Sequence, residues 1–565
     1  MTLLPNTAAV LREVRMLVRI SIAILLMLAA QQPVFGTSMS PQAEAIRSHV
    51  EEVRASSTLN IAGQTISSTL VLPSLYERRN YAPVWDNPQA VRQLIEALEH
   101  VDNDGLIGND YHLPIILKLQ TNNHAGDPAN AAGLDILMTD ALIRLGYHLL
   151  VGKVDAEELD TNWNMTTTID HLDTILSLAE SIESARIPQL IEQLRPDHAY
   201  YACLQQGLVR YRTIRDQGGW QSVPDGPTLK PGMADARIPV IRERLSVTGE
   251  LSTADTTTDI YDETLTGAVK QFQQHHGLTA DGVIGPATVA AMNVPVQARI
   301  DQIKVNLERA RWVLHDLPED VVIVDITGFE VSYRREGKIV WSTLAQVGTP
   351  YRETPVFKDQ IRYLEVNPTW TVPPTILQKD ILPQMAKDPS YLQQKDMQVL
   401  THDGNYVDPK TIDWSQYPQK RFPYLLRQNP GPNNALGRIK FMFPNKHLVY
   451  LHDTPNRNLF ERDQRAFSSG CIRIMHPFKL AELLLDDPQW TQSRIEELVE
   501  SKQTTRINLS KPVTVILMYW TVNIADDGGM LFKADIYNRD AAVLAGLNKP
   551  FSFRNAPILK GQTSP

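Results

Sequence analysis

Near Val321 the spacing of apolar residues changes from the period of a helix to that of a strand, and this switch divides the chain. Before it, "AVRQLIEALEHV" and "LDILMTDALIRLGYHLLVGKV" repeat apolar residues three and four apart, as one face of a helix requires. After it, "VVIVDI", "FEVSYRREGKIVWSTLAQVG", "HLVYLHD" and "PVTVILMYWTVNI" are β-branched or aromatic runs bounded by turns, with Glu336-Gly337 as a hairpin turn. The pattern predicts a multidomain α+β chain: a helical scaffold over 37–234 and a mainly β domain over 318–565. Within the latter, the Pro-, Gln- and Tyr-rich segment of about 376–430 reads as a helical insertion capping the site.

A Pro-, Gly- and Asp-rich stretch, "DGPTLKPGMADARIP", marks a boundary before a compact unit at 235–293. Ile238, Ile241 and Leu245 line one short helix, and Leu265, Ala268, Val269 and Phe272 a second. Asp281-Gly282 turns the chain, and Pro286 suits the first turn of a third. Phe272, Gln273, Gly277, Leu278, Asp281, Gly282, Ile284, Gly285 and Thr288 make this unit resemble the three-helix peptidoglycan-binding domain. The next stretch, "ARIDQIKVNLERARWVLHDL", predicts one amphipathic helix over 294–317 that returns to the scaffold, which makes the three-helix unit an insertion.

The first 36 residues read as an address. Arg12, Arg15 and Arg19 precede the apolar run Ile20–Ala30, which is about signal-core length and short of the roughly 20 residues of a spanning helix. The segment is either a cleaved signal peptide, with Val34 and Gly36 at the cleavage site, or an inner-membrane anchor. Both readings export the chain. Net charge is −9, which gives no basic excess of the kind that binds nucleic acid. No CxxC, HExxH or calcium-loop spacing points to a metal, and no cofactor is implied.

An exported chain usually keeps its cysteines paired, and this one has two, Cys203 and Cys471. They either pair with each other or serve separately. Cys203, in the helical "AYYACLQQGLV", reads as a buried inert thiol; Cys471, in "SSGCIRI", reads as reactive. A sulfur nucleophile acts as thiolate, so a base must take its proton, and His452 is the nearest suitable group. If "HLVYLHD" is a strand, Tyr450 and His452 share a face. Ser468 and Ser469 are small, and Gly470 allows close backbone approach, so the amides near Gly470 are candidate oxyanion donors. Arg473 shares the face of Cys471 in extended backbone, where it would order the loop or hold a carboxylate. Tyr450 would bound the pocket, donate a hydrogen bond or simply pack.

His452, Ser468, Gly470, Cys471 and Arg473 resemble the signature of the L,D-transpeptidase catalytic domain. "VGTPYRETP" and "RQNPGPNNALGRIKF" are similar to further blocks of that family. Ser469 and Asp453 stand where a His and a Gly are frequent, and both departures resemble the large periplasmic murein L,D-transpeptidases. The resemblance implies acyl transfer in cell-wall biogenesis, with no cofactor. Cys471 would attack the bond between diaminopimelate at stem position three and D-Ala at position four. His452 would act as general acid and base, oriented by a backbone carbonyl, and 3→3 cross-links would form on a second stem. Trp370 and Gly437 are candidate substrate-binding residues. The resemblance further implies stem peptides and other cell-wall synthesis proteins as partners, and carbapenems as inhibitors. Hydrolysis of the acyl-enzyme, transfer to a lipoprotein lysine, and a non-catalytic wall-binding protein are the competing readings.

Overall fold

The scaffold is built around Pro128–Val151, a helix buried on almost every side. Asp127 caps it, accepting from Ala129 N at 2.9 Å, and proline occupies its first position. Ile46, Val50, Leu72, Leu94, Leu98 and Ile116 from surrounding helices pack on its Ile136, Leu137, Leu142 and Leu145. Its buried polar side chains are all bonded. Asp140 pairs with His112 and Arg144, and Asp135 accepts from Tyr76 Oη at 2.6 Å. These coordinates are a computed structural model. It describes residues 39–551 apart from 122–126, 166–170, 253–257, 389 and 418–420, so the address segment falls outside the described residues. No helix among the described residues is long and apolar enough to cross a membrane.

Residues 235–293 form three helices, Ile238–Thr248, Glu263–His275 and Pro286–Met292, around Leu245, Leu265, Val269 and Phe272. Each of these fully buried side chains contributes about 1.5–3 kcal/mol of transfer free energy. The returning helix, Val296–Val313, is buried more completely than a simple amphipathic helix. One side meets Tyr201, Leu204 and Leu208 of the scaffold helix Ala199–Asp216. Buried Glu308 accepts from Arg311 at 2.5 Å, and Arg311 reaches Tyr201 Oη at 3.0 Å. Cys203 lies on Ala199–Asp216, half-buried rather than enclosed, and both cysteines are free thiols.

The C-terminal domain is mainly β. Its strands are β1 (Val321–Asp325), β2 (Glu330–Arg335), β3 (Lys338–Gly348), β4 (Phe357–Val366), β5 (Ile439–Met442), β6 (Leu451–His452), β7 (Ala466–Ser468), β8 (Ile472–Ile474) and β9 (Thr505–Met518). They run in the order β7-β3-β8-β6-β5-β4-β9-β1-β2, and β2 pairs again with β3, so the sheet closes on itself. Glu336 and Gly337 both take positive φ, the tight hairpin turn expected between β2 and β3. One sheet face is apolar. Ile472, Leu451, Phe441 and Leu364 stand side by side across four strands, fully buried in the core that includes Leu480, Ala481 and Leu484 of helix Pro477–Leu485.

The cap corrects one expectation. Its first half is helical, in short pieces from Pro374 to Gln394. Its second half is a sheet in the order Trp370–Thr371, Leu425–Gln428, Met397–Leu400, Tyr406–Val407. Leu382, Met385, Val399, Trp414 and Leu426 form its own small core.

Candidate active site

Register decides which side chains meet. His452 pairs with Arg473 on β8 and with Lys440 on β5; Arg473 pairs with Gln346, and Lys440 with Glu365. Paired residues project to the same face. A polar row therefore crosses the sheet opposite its apolar face: Gln346, Arg473, His452, Lys440, Glu365. Cys471 precedes Arg473 by two positions and shares that face. The candidate proton acceptor on β6 and the candidate nucleophile one residue before β8 thus share one face of the sheet.

His452 is buried, and its Nδ1 lies 2.5 Å from the Asp453 carbonyl oxygen. A carbonyl only accepts, so Nδ1 carries the proton and Nε2 keeps its lone pair. Burial, then the Arg473 charge, lower the imidazole pKa to about 3, so it is neutral near pH 7. The half-buried Cys471 thiol is pushed up by burial and pulled back by the Tyr450 N–H, Arg473 and Lys440. Its Sγ lies 3.7 Å from the Leu448 carbonyl. At neutral pH the two groups are a neutral imidazole and a thiol.

The turn that carries Cys471 is braced from beneath. Ser468 Oγ donates to the Cys471 carbonyl at 2.6 Å and accepts from Gly470 N at 3.1 Å. The Gly470 N–H is therefore occupied, which corrects its expected role as an oxyanion donor. Gly470 is needed for its backbone instead, with φ of 111°. Fully buried Thr354 donates to the Gly470 carbonyl at 2.9 Å and accepts from Gly348 N at 2.9 Å.

Residues 319–507 match the L,D-transpeptidase catalytic domain, 71–208 match the scaffold domain, and 235–292 match the "Putative peptidoglycan binding domain". Residues 319–507 are an L,D-transpeptidase catalytic domain. A Haemophilus influenzae protein named "Putative L,D-transpeptidase" is 38% identical over 248 residues, which are 44% of this chain and 50% of that protein. The chain thus spans half the length of this curated relative. Solved L,D-transpeptidase structures from Xylanimonas cellulosilytica and Stackebrandtia nassauensis are 15% and 14% identical. They cover 52% and 53% of this chain and 99% and 97% of their own, with TM-scores of 0.16 and 0.19.

The structure places the remaining site residues of the L,D-transpeptidase domain. "HLVYLHD" is a strand only at Leu451–His452, because Leu448 has φ of 55° and Asn445 ties its side chain to the backbone of Phe443, His447 and Val449. Gly437, expected to bind substrate, instead makes room: it has φ of 64°, and a Cβ there would lie 2.5 Å from Asp453 Cβ. Trp370, also expected at the substrate, sits in the edge strand of the cap sheet, half-buried against the cap core. Arg473 donates to Gln346 Oε1 at 3.2 Å and has no carboxylate within ion-pair distance among the described residues. The Tyr450 ring lies 4.1 Å from Lys440 Nζ. Lys440 escaped the sequence reading. Its one signal was a charged residue alternating into the apolar run "IKFM". Among the described residues no three or more His, Cys, Asp or Glu side chains converge as metal ligands do.

Proposed function

We propose that this protein is a peptidoglycan L,D-transpeptidase using Cys471 as nucleophile and His452 as general acid and base. The observation that supports the reading is the register that sets both residues on one polar sheet face, with His452 Nδ1 bound to the Asp453 carbonyl, the tautomer in which Nε2 carries the lone pair. Cys471 Sγ adds to the carbonyl carbon of the diaminopimelate–D-Ala bond while its proton passes to His452 Nε2. The C–N bond breaks, and the imidazolium returns that proton to the departing D-Ala amine, leaving a thioester. An amine of a second stem then attacks the thioester with His452 as base, restoring the thiol and forming a 3→3 cross-link.

The peptidoglycan-binding domain supports a polymeric wall substrate, and such a substrate supports a periplasmic location. In this reading Arg473, lacking a carboxylate of its own, steadies negative charge at the site. Water or a lipoprotein lysine as acceptor would use the same thioester. Purified protein incubated with tetrapeptide muropeptides, with products read by mass, tests the proposal. Wild type and Cys203→Ala should release D-Ala and give cross-linked dimers, whereas Cys471→Ala should give neither. Full turnover by Cys471→Ala would exclude this nucleophile, and D-Ala release without dimers would identify water as the acceptor.

A further inference from the structure

Lys440 is a buried cation that the mechanism above does not use. It is 9% exposed, in register between His452 on one side and Glu365 on the other. Its closest anionic partner is Glu365 Oε2 at 3.6 Å, too long for a hydrogen-bonded pair, and its Nζ rests 4.1 Å from the centre of the Tyr450 ring. Burying an ammonium with so loose a counter-ion is costly. A cation–π contact of about 0.5–2 kcal/mol offsets only part of that cost. The polar row, of which His452, Lys440 and Gln346 are buried, is also unbalanced. Arg473 and Lys440 are cations, Glu365 is the one carboxylate, and His452 is neutral. Arg506, paired with Glu365 on the far side, is exposed and lies over Tyr363. A single negative charge placed at Cys471 would complete the balance.

We propose that Lys440 is an electrostatic positioning residue for Cys471, its ammonium set over Tyr450 so that, with Arg473, it offsets the charge of the thiolate. The placement suits that purpose. Tyr450 stands beside Cys471 on the neighbouring strand, since Leu451 pairs with Ile472, and its ring carries Lys440, so one residue links the cation to the sulfur's surroundings. Glu365 holds the ammonium in place loosely enough to leave most of its charge for the sulfur. The groups facing Lys440 are Glu365, Tyr363 and Arg506 from β4 and β9, Tyr450 and His452 from the β6 segment, and Cys471 and Arg473 from the nucleophile turn. Of these, Glu365 opposes the effect and Arg473 adds to it. Burial raises the Cys471 thiol and the two cations draw it back, so loss of either cation leaves the burial effect less opposed.

The inference rests on Cys471 being the nucleophile only for its consequence in catalysis; its test needs no substrate and stands apart from the acyl-transfer assay. The rate of Cys471 alkylation by iodoacetamide, followed by peptide mass across pH in the full chain carrying Cys203→Ala, reads the thiolate fraction. Lys440→Met should move the profile toward higher pH and slow alkylation at neutral pH by about tenfold, the equivalent of one pKa unit. Lys440→Arg should stay within about threefold of the parent, because it keeps the charge and the ring contact. Glu365→Gln should move the profile the opposite way and accelerate alkylation, which a merely structural role would not predict. An unchanged profile in Lys440→Met overturns the proposal, as does Glu365→Gln slowing the reaction. If Lys440→Met fails to fold, the pair Glu365→Gln and Lys440→Arg decides: acceleration in the first with parent-like behaviour in the second upholds the proposal, and any other pattern overturns it.

Discussion

Replacing Thr354 by valine should loosen the nucleophile turn without touching the nucleophile. Thr354 is 0% exposed, and its hydroxyl bonds to two backbone groups, accepting from Gly348 N and donating to the Gly470 carbonyl, each at 2.9 Å. Valine has the same shape, so no cavity opens, but both backbone groups are left buried and unpaired. Each costs about 1–3 kcal/mol, or about 2–5 kcal/mol together once partial relaxation is allowed. At 1.36 kcal/mol per tenfold, protection of the Gly348 amide against hydrogen exchange should fall by about 30- to several-thousand-fold. Thr354→Ser keeps both bonds and loses one methyl, about 0.8 kcal/mol, so its amide should exchange nearly as slowly as in wild type. Exchange is the better assay because a multidomain chain does not melt in two states. A Gly348 amide as protected in Thr354→Val as in wild type would refute the reasoning, and so would a serine variant as loose as the valine one.

Two further outcomes are expected. Gly437→Ala would place a Cβ 2.5 Å from Asp453 Cβ and 2.6 Å from its carbonyl carbon. Since that carbonyl orients His452, turnover of muropeptides should fall by about a hundredfold while iodoacetamide still labels Cys471; unimpaired turnover would show that Asp453 tolerates displacement. The peptidoglycan-binding module meets the catalytic domain at His275, whose Nδ1 lies 3.1 Å from Glu250 and whose Nε2 lies 3.0 Å from Asp527. The hydrogen bond to Glu250, aided by that to Asp527, raises its pKa above the ordinary 6.5. A raised folded pKa means that the stabilisation is complete below pH 6.5 and is lost as pH rises through the raised value. Limited proteolysis at the module boundary should accelerate over that rise in wild type and show no such step in His275→Gln.

The division of the chain was legible because period is a local property. Ile300, Ile303 and Leu307 announce a helix, and the run from Val321 announces strands, whatever surrounds them. The peptidoglycan-binding unit was legible for the same reason, its turn Asp281-Gly282 and its helix start at Pro286 being short-range chemistry. Cys471 could be singled out as the candidate nucleophile from its neighbours. What could not be read was pairing between distant strands. Lys440 matters because it stands in register with His452, and Glu365 because it stands in register with Lys440, across separations no local pattern encodes. The short strand before Asp453 misled for the opposite reason. "HLVYL" has strand composition, but Asn445 binds the backbone around it and Leu448 turns left-handed, so local side-chain bonding overrode propensity.

The loop from Gly348 to Val356 explains how the cap and the C-terminal segment bear on the site. Three consecutive side chains diverge to three neighbours. Arg352 donates to both oxygens of Asp380 in the cap and, at 2.9 Å, to Ser469 beside the nucleophile. Glu353 accepts from Arg539 at 2.5 Å. Thr354 bonds to Gly470, and Tyr537 clasps the same loop from behind, accepting from Thr354 N at 3.2 Å and donating to the Gly348 carbonyl at 2.7 Å. These attachments differ in kind. The Asp380 and Glu353 pairs are partly exposed, and ion pairs of that sort are worth about 0–1 kcal/mol, so cap and C-terminal segment can release the loop at little cost. The Thr354 and Tyr537 bonds are buried, and breaking them leaves orphaned backbone groups. The turn that carries Cys471 is thus held by buried bonds, while the cap and the C-terminal segment are attached to its supporting loop only by weaker, partly exposed pairs.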